Sequence, residues 1–257
     1  MWVDAHAHLY DLDDNGLSEA VHACETAGVA AILNTATSLE TSRVVLSQCA
    51  TRPFLYGAVG ISPFDAEGLP ASWPDRLAAL LSDPRAVALG ETGIDTTNPA
   101  YPDIRLQLPL FERQLDIASG HDLPVIVHSR GCESRAVDIC RRQGVRKALF
   151  HCFTGDVSSA RKIIDAGYLV SFSGIITFKN TSLIECVDYV PLTSMLVETD
   201  SPYLAPAPHR GKRNRPEWVV YVGKKVAEIK KMDEEKAAKV MLKNFRNLFK
   251  LPRAIFS

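Results

Sequence analysis

Short apolar runs alternate with longer amphipathic stretches along the whole chain. The runs at 2–6, 29–35, 54–61, 86–91, 124–129, 147–152, 168–173 and 194–200 are rich in Val, Ile, Leu, Phe and Ala. Most lack strict alternation with polar residues, which predicts strands buried on both faces. Helical spacing fills the gaps at 16–27, 40–50, 75–82, 103–120, 133–143 and 156–166, with a shorter segment at 181–189. The region 216–249 predicts two helices with a break near Asp233. Gly28, Gly144 and Gly167 fall just past three of these helices, where a left-handed turn is wanted. Thr37 and Ser38 are placed to cap the helix at 40–50. Eight strands alternating with helices predict an α/β fold of the (β/α)8 TIM-barrel type. A doubly wound open sheet is the alternative, and the lack of a Gly-rich phosphate loop after the first strand counts against it. No linker or compositional break divides the chain, so residues 1–257 are expected to form one barrel domain.

Composition narrows the setting. The chain is 46% hydrophobic and 23% charged, ordinary values for a globular protein with a substantial core. A net charge of −1 excludes a globally basic coat, so any contact with nucleic acid must use a local basic patch. Six scattered cysteines form no CxxC pair, and no signal segment or membrane-length apolar run is visible. A cytoplasmic protein with reduced thiols is expected, with the cysteines, Cys152 beside His151 included, serving as packing residues.

Six metal-capable side chains occupy equivalent places in this rhythm. His6 and His8 close the first strand in VDAHAH, and two residues of separation on a strand turns both imidazoles to one side. Glu91 ends the fourth strand in ALGETGID, His128 the fifth in VIVHSR, His151 the sixth in LFHCFTG and Asp200 the eighth in LVETDSPYL. Barrel enzymes assemble their sites at the carboxyl ends of the strands, so all six would converge on one mouth. Four imidazoles and two carboxylates exceed what one catalytic ion with a solvent position needs. Two divalent ions sharing a carboxylate fit better, with Mg, Mn and Zn all compatible with such ligands.

The combination of VDAHAH, GETGID, VHSR, HCFTG, FSGIITFKN and ETDSPYLAPAPHRGKRN resembles the motifs of TatD-type metal-dependent deoxyribonucleases of the amidohydrolase superfamily, from Trp2 to the C-terminal helices. The resemblance implies a (β/α)8 barrel. It implies that His6, His8 and Asp200 hold one ion, that His128 and His151 hold the other, and that Glu91 bridges them. Asp200 would also orient or deprotonate the attacking water, leaving Asp200 and Glu91 as the catalytic carboxylates. The implied activity is cleavage of phosphodiester bonds in DNA by an activated hydroxide, trimming single-stranded or frayed DNA from the 3′ end.

A basic loop follows Asp200 closely. His209, Arg210, Lys212, Arg213 and Arg215 crowd into APAPHRGKRNRPEW, and late barrel loops commonly bind phosphate. Arg210, Lys212 and Arg213, together with Arg130, Lys179 and Ser62, are the expected phosphate contacts. Phe153, Phe178 and Tyr203 are candidates for stacking bases, with core packing expected of at least one. Three departures from the family pattern stand out. Ser62 replaces the histidine of GIHP, Arg215 replaces the glutamate of Asn-Glu-Pro, and TTNPAY follows GETGID in place of an aromatic-rich start. Serine carries no positive charge and cannot act as an imidazole acid. Alternatives are therefore a two-metal hydrolase of another ester or amide, or a noncatalytic nucleic-acid-binding barrel. A monomer is expected, with DNA as partner.

Overall fold

The computed structural model describes residues 1–252; the last five residues of the expected domain, 253–257, lie outside the described residues. Eight parallel strands follow one another in chain order: β1 (Trp2–Ala7), β2 (Val29–Thr35), β3 (Leu55–Val59), β4 (Ala86–Asp95), β5 (Val125–Arg130), β6 (Ala148–Phe150), β7 (Leu169–Phe172) and β8 (Met195–Val197). The helices between and after them are α1 (Asp14–Thr26), α2 (Leu39–Thr51), α3 (Trp73–Leu81), α4 (Ile104–Gly120), α5 (Glu133–Arg142), α6 (Val157–Asp165), α7 (Ile184–Tyr189), α8 (Val219–Ile229) and α9 (Glu234–Leu248). This is the expected TIM barrel. Every residue of β1, β3, β4 and β5 except Val87 and Arg130 is buried, which is why these strands show no clean alternation.

Local sequence accounts for the helix ends. Ser38 and Thr41 form a reciprocal capping box at the start of α2. Asp13, Asp156 and Asp233 accept backbone hydrogen bonds at the starts of α1, α6 and α9, and Asp233 thereby sets the expected break between α8 and α9. Gly28, Gly144 and Gly167 adopt positive φ beyond α1, α5 and α6. Helix α7 is shorter than expected, because 181–183 form an irregular bend ahead of it.

Two strand boundaries differ from expectation. Strand β4 does not stop at Glu91 but runs on through Asp95, so Glu91 sits inside the strand. The extension depends on Gly93, whose φ is +145° and whose position would carry a Cβ 1.9 Å from the His128 carbonyl oxygen. Glycine lets β4 lie against β5 where Gly93 pairs with His128. Strand β8, by contrast, ends at Val197, before Asp200.

The barrel closes through the segment after β8. Ala7 bridges Ser201 in parallel, Asp200 N–H donates to the His6 carbonyl at 2.9 Å, and His8 N–H donates to the Ser201 carbonyl at 2.8 Å. Asp4, fully buried in β1, accepts from the Thr199 N–H at 2.9 Å and from the Thr199 hydroxyl at 2.5 Å. The seam therefore fixes His6, His8 and Asp200 relative to one another. Asp4→Ala strands the buried Thr199 donors, and urea unfolding should show a loss of about 2–3 kcal/mol with an unchanged denaturant slope.

Candidate metal centre

The six expected ligands meet at the carboxyl ends of the strands. His6 projects from β1 and His8 from the residue just past it, so both rings face the barrel axis. Their Nε2 atoms are 3.2 Å apart. Glu91 presents one carboxylate oxygen to each histidine pair. Its Oε2 lies 3.4 Å from His6 Nε2 and 3.7 Å from His8 Nε2. Its Oε1 lies 3.1 Å from His128 Nδ1 and 3.6 Å from His151 Nε2. Asp200 Oδ1 is 3.4 Å from His8 Nε2 and 3.9 Å from His6 Nε2. The ligand atoms thus form groups about His6, His8 and Glu91, about Glu91, His128 and His151, and about His6, His151 and Asp200.

Partners on the far side of the rings orient them. His8 Nδ1 is 2.9 Å from the Thr35 carbonyl, and His128 Nε2 is 3.0 Å from Asp95 Oδ2. Asp95 also accepts from Thr97 and Asn98, so its carboxylate is held from two directions. His151 Nδ1 is 3.5 Å from Glu198 Oε1, while the Ser171 hydroxyl donates to Glu198. The His6 and His151 rings stack at 3.9 Å and 7°. Such outer partners fix ring orientation and tautomer at metal sites. Asp95 and Glu198 were not singled out from the sequence. Their signal was position: Asp95 is the last residue of GETGID, and Glu198 lies two before Asp200.

Buried amides hold the loops that carry these residues. Gln114 accepts from the Ile61 N–H and donates to the Ile61 carbonyl, both at 2.8 Å, beside Ser62. Asn34 accepts from the Leu9 N–H, and Gln48 donates to the Leu9 carbonyl, just past His8. Asp200 adopts a φ of 56°, a conformation aspartate tolerates better than most residues. Asn214 steadies its loop by donating to the carbonyls of Thr199 and Tyr203.

The charges balance only as a set. Burial opposes ionisation of Glu91, but His151, His128 and His6 outweigh it and hold its carboxyl well below the usual range. Asp200 is likewise lowered against burial, by His8 and His6. Burial disfavours protonated His151, yet Glu91 and Glu198 push its pKa up to about 10. His8 is raised against burial by Asp200 and Glu91. His6 is lowered, by burial and then by His151. Protons on imidazoles supply the counter-charge that divalent ions would supply instead. The donor set fits such ions: imidazole nitrogens and carboxylate oxygens face one another across gaps with no apolar filling, and one carboxylate divides its oxygens between two histidine pairs.

A cleft of about 690 Å³ opens over the centre, and Ser62, Arg130, Tyr101 and Tyr203 help to line it. The other expected phosphate contacts are dispersed. Lys179 and Arg210 line a separate cleft, Arg213 lines a third beside His8, and Lys212 is exposed and lines none of these. The turns and prolines of 202–216 divide the basic loop, so sequence proximity does not become a single patch. Arg215 pairs with Glu217 at 2.6 Å and stays outside the metal cleft. Phe153 is 2% exposed and packs against Phe172, so it belongs to the core and is no base-stacking residue. Tyr203 is 58% exposed at the cleft. TTNPAY still supplies an aromatic: Tyr101 stacks on His128 at 5.6 Å, with Phe64 edge-on to it.

A parallel barrel with clustered histidines and acids at its mouth defines a metal-dependent hydrolase, and comparison with known proteins agrees. Residues 3–250 match the family described as TatD related DNase, and the chain belongs to that family. It is 34% identical to the metal-dependent hydrolase TatD of Mycobacterium tuberculosis, over 97% of this chain and 98% of that one. It is 38% identical to the metal-dependent hydrolase YcfH of Escherichia coli, over 96% and 95%. The crystal structure of YJJV, a TatD homologue from Escherichia coli, superposes with a TM-score of 0.91 at 28% identity, covering 98% of each chain. No helix among the described residues is long and apolar enough to cross a membrane.

Metal ligation needs a free ring nitrogen, so loading the centre must displace the proton from His151. A folded-state pKa of about 10 for His151 means that affinity should climb as pH rises from 7 toward 10. Calorimetry of metal binding at pH 7 should give an enthalpy that varies with the buffer's own ionisation enthalpy. A buffer-independent enthalpy would contradict protonated ligands.

Proposed function

We propose that this metal-dependent hydrolase cleaves phosphodiester bonds of DNA, removing nucleotides from the 3′ ends of single-stranded or frayed strands, and that it acts as a monomer in the cytoplasm. The observation that carries this reading is Arg130. Its guanidinium lines the cleft that contains Glu91, His128 and Asp200, bonds only to its neighbour's carbonyl, and has no carboxylate within ion-pair distance among the described residues. A guanidinium that no carboxylate pairs directly, beside a metal centre, suits a phosphate oxygen.

The two histidine pairs with Glu91 and Asp200 would hold two divalent ions. Such a pair activates water near neutral pH and neutralises charge on phosphoryl and leaving oxygens. The chain's own groups do the rest. Asp200, with its side chain 14% exposed, is held ionised and faces the cleft, so it can accept the proton of the attacking water. Arg130 orients the phosphate. Tyr101 and Tyr203 offer ring surface to an unpaired base without reading its identity. Ser62 is buried in the cleft wall and accepts from the Phe64 N–H at 3.1 Å. Its hydroxyl can donate to a phosphoryl oxygen, but it cannot deliver a proton to the leaving group as an imidazolium would.

Asp65 favours a second reading. It lines the same cleft and has no ion-pair partner among the described residues, so an ester or amide substrate bearing an amine would also find a complementary charge. End-labelled single-stranded DNA separates the two. Metal-loaded protein should shorten it from the 3′ end, stop in chelator, and lose about 10³-fold or more in rate with Asp200→Asn. Arg130→Ala should act mainly on KM if the guanidinium binds ground and transition states alike. Hydrolysis of amine-bearing esters with no release of nucleotides would favour the second reading.

A further inference from the structure

The metal cleft leaves Lys179, Arg210 and Phe178 unused. They line a second cleft of about 640 Å³, formed by the segments that follow β6 and β7 and by the loop that follows Asp200. Its volume is within the range of roughly 300–1,000 Å³ typical of small-molecule sites. The charge is one-sided: Lys179 and Arg210 line it and no Asp or Glu does. Neither cation has an ion-pair partner among the described residues. The metal cleft differs, with Asp65, Glu91 and Asp200 on its walls.

Arg210 is arranged as a platform. Its guanidinium carbon lies 3.5 Å from the centroid of the Phe178 ring, a separation that requires the planar group to lie flat on the ring. One guanidinium face is thus covered, while the residue as a whole is exposed. The loop beneath is held in place. The Ala207 N–H donates to the Thr177 hydroxyl at 2.8 Å, and the His209 ring stacks on Trp218 at 4.0 Å. Gly174 packs against the same loop so closely that a Cβ there would fall 2.1 Å from the Leu204 carbonyl oxygen. A fixed, flat cation is costly to arrange for charge alone, since a mobile lysine would serve. Flatness serves stacking, and unstacked nucleobases pack on arginine planes as they do on aromatic rings.

The two clefts are neighbours along the chain. Thr154 lines the second cleft and follows His151 of the metal centre by three residues, so at most about 11 Å of backbone separates them. The segment from Asp200 to Arg210 likewise runs from one cleft to the other.

We infer that the second cleft binds a further nucleotide of the strand engaged at the metal centre, with its base stacked on the outer face of Arg210 and its phosphate held by Lys179. The inference rests on the DNA reading of the metal site, and it assigns that site a preference for strands long enough to fill both clefts. Thr154, Asn180 and Ser182 line the cleft with polar side chains that make no hydrogen bond among the described residues, and these would meet the sugar and phosphate.

The test is binding of the metal-loaded protein to two short phosphorothioate-linked single strands, one with bases and one abasic throughout, read by fluorescence anisotropy across a salt series. Arg210→Lys keeps the charge and removes the plane. It should weaken the base-bearing strand roughly 5- to 150-fold and leave the abasic strand within about twofold. Lys179→Ala should weaken both strands and reduce the slope of log affinity against log salt by about 0.7. Equal losses on both strands for Arg210→Lys, or no loss, would overturn the stacking assignment. An unchanged slope for Lys179→Ala would overturn the phosphate assignment. Because these linkages resist cleavage, a protein that cuts no DNA can still show the base-dependent loss, and one that cuts DNA can lack it. Failure here is therefore distinct from failure of the proposed activity.

Discussion

Two carboxylates and four imidazoles share the buried mouth of this barrel, and none of them is stable there alone. A lone carboxylate at the depth of Glu91 would take up a proton, and a lone imidazole at the depth of His6 would lose one. Placed together they compensate one another, and Glu91 is central because its two oxygens serve different histidine pairs. Much of the rest of the fold is arranged around that juxtaposition. Gly93 brings β4 against β5 at His128. The Asp4–Thr199 contact closes β1 onto the segment that carries Asp200. Asp95, Glu198 and the Thr35 carbonyl turn the rings inward.

The same cluster ties stability to function. Without ions, protonated His151 provides balancing charge, and Asp200 and Glu91 favour the protonated form of His8. Divalent ions would replace those protons with a stronger and more localised charge, which also suits phosphate chemistry. Arg130 extends the positive potential along the cleft wall, while Asp65 sets a limit to it. The proposed substrate, a single strand of nucleic acid, is an extended anion with flat apolar groups and would use such a field.

Much of the architecture was legible in the sequence because a TIM barrel repeats one unit. Buried parallel strands appear as apolar runs, and glycines and capping residues mark the helix ends. The six ligands were legible because each stood near the end of such a run. Two placements were not. The apolar run stops at Glu91 although β4 continues to Asp95, with Gly93 lying against β5, and Asp200 lies past β8 because the closure passes through a bridge at Ser201. The outer partners Asp95 and Glu198 offered no signal beyond their positions, because which side chains meet across strands depends on register, which local pattern does not encode. The basic loop misled for a related reason: adjacent charges were expected to act together, but the turns of the loop direct Arg210 and Arg213 into different clefts. Phe153 follows His151 by two residues yet points into the core.

In the proposed centre Glu91 would link two metal positions. Loading the protein with manganese and recording its electron paramagnetic resonance spectrum tests that link directly. Two ions per chain with an exchange-coupled spectrum are expected, with loss of the coupling in Glu91→Ala. A single ion per chain, or two ions with the uncoupled spectrum of isolated manganese in the unaltered protein, would contradict it.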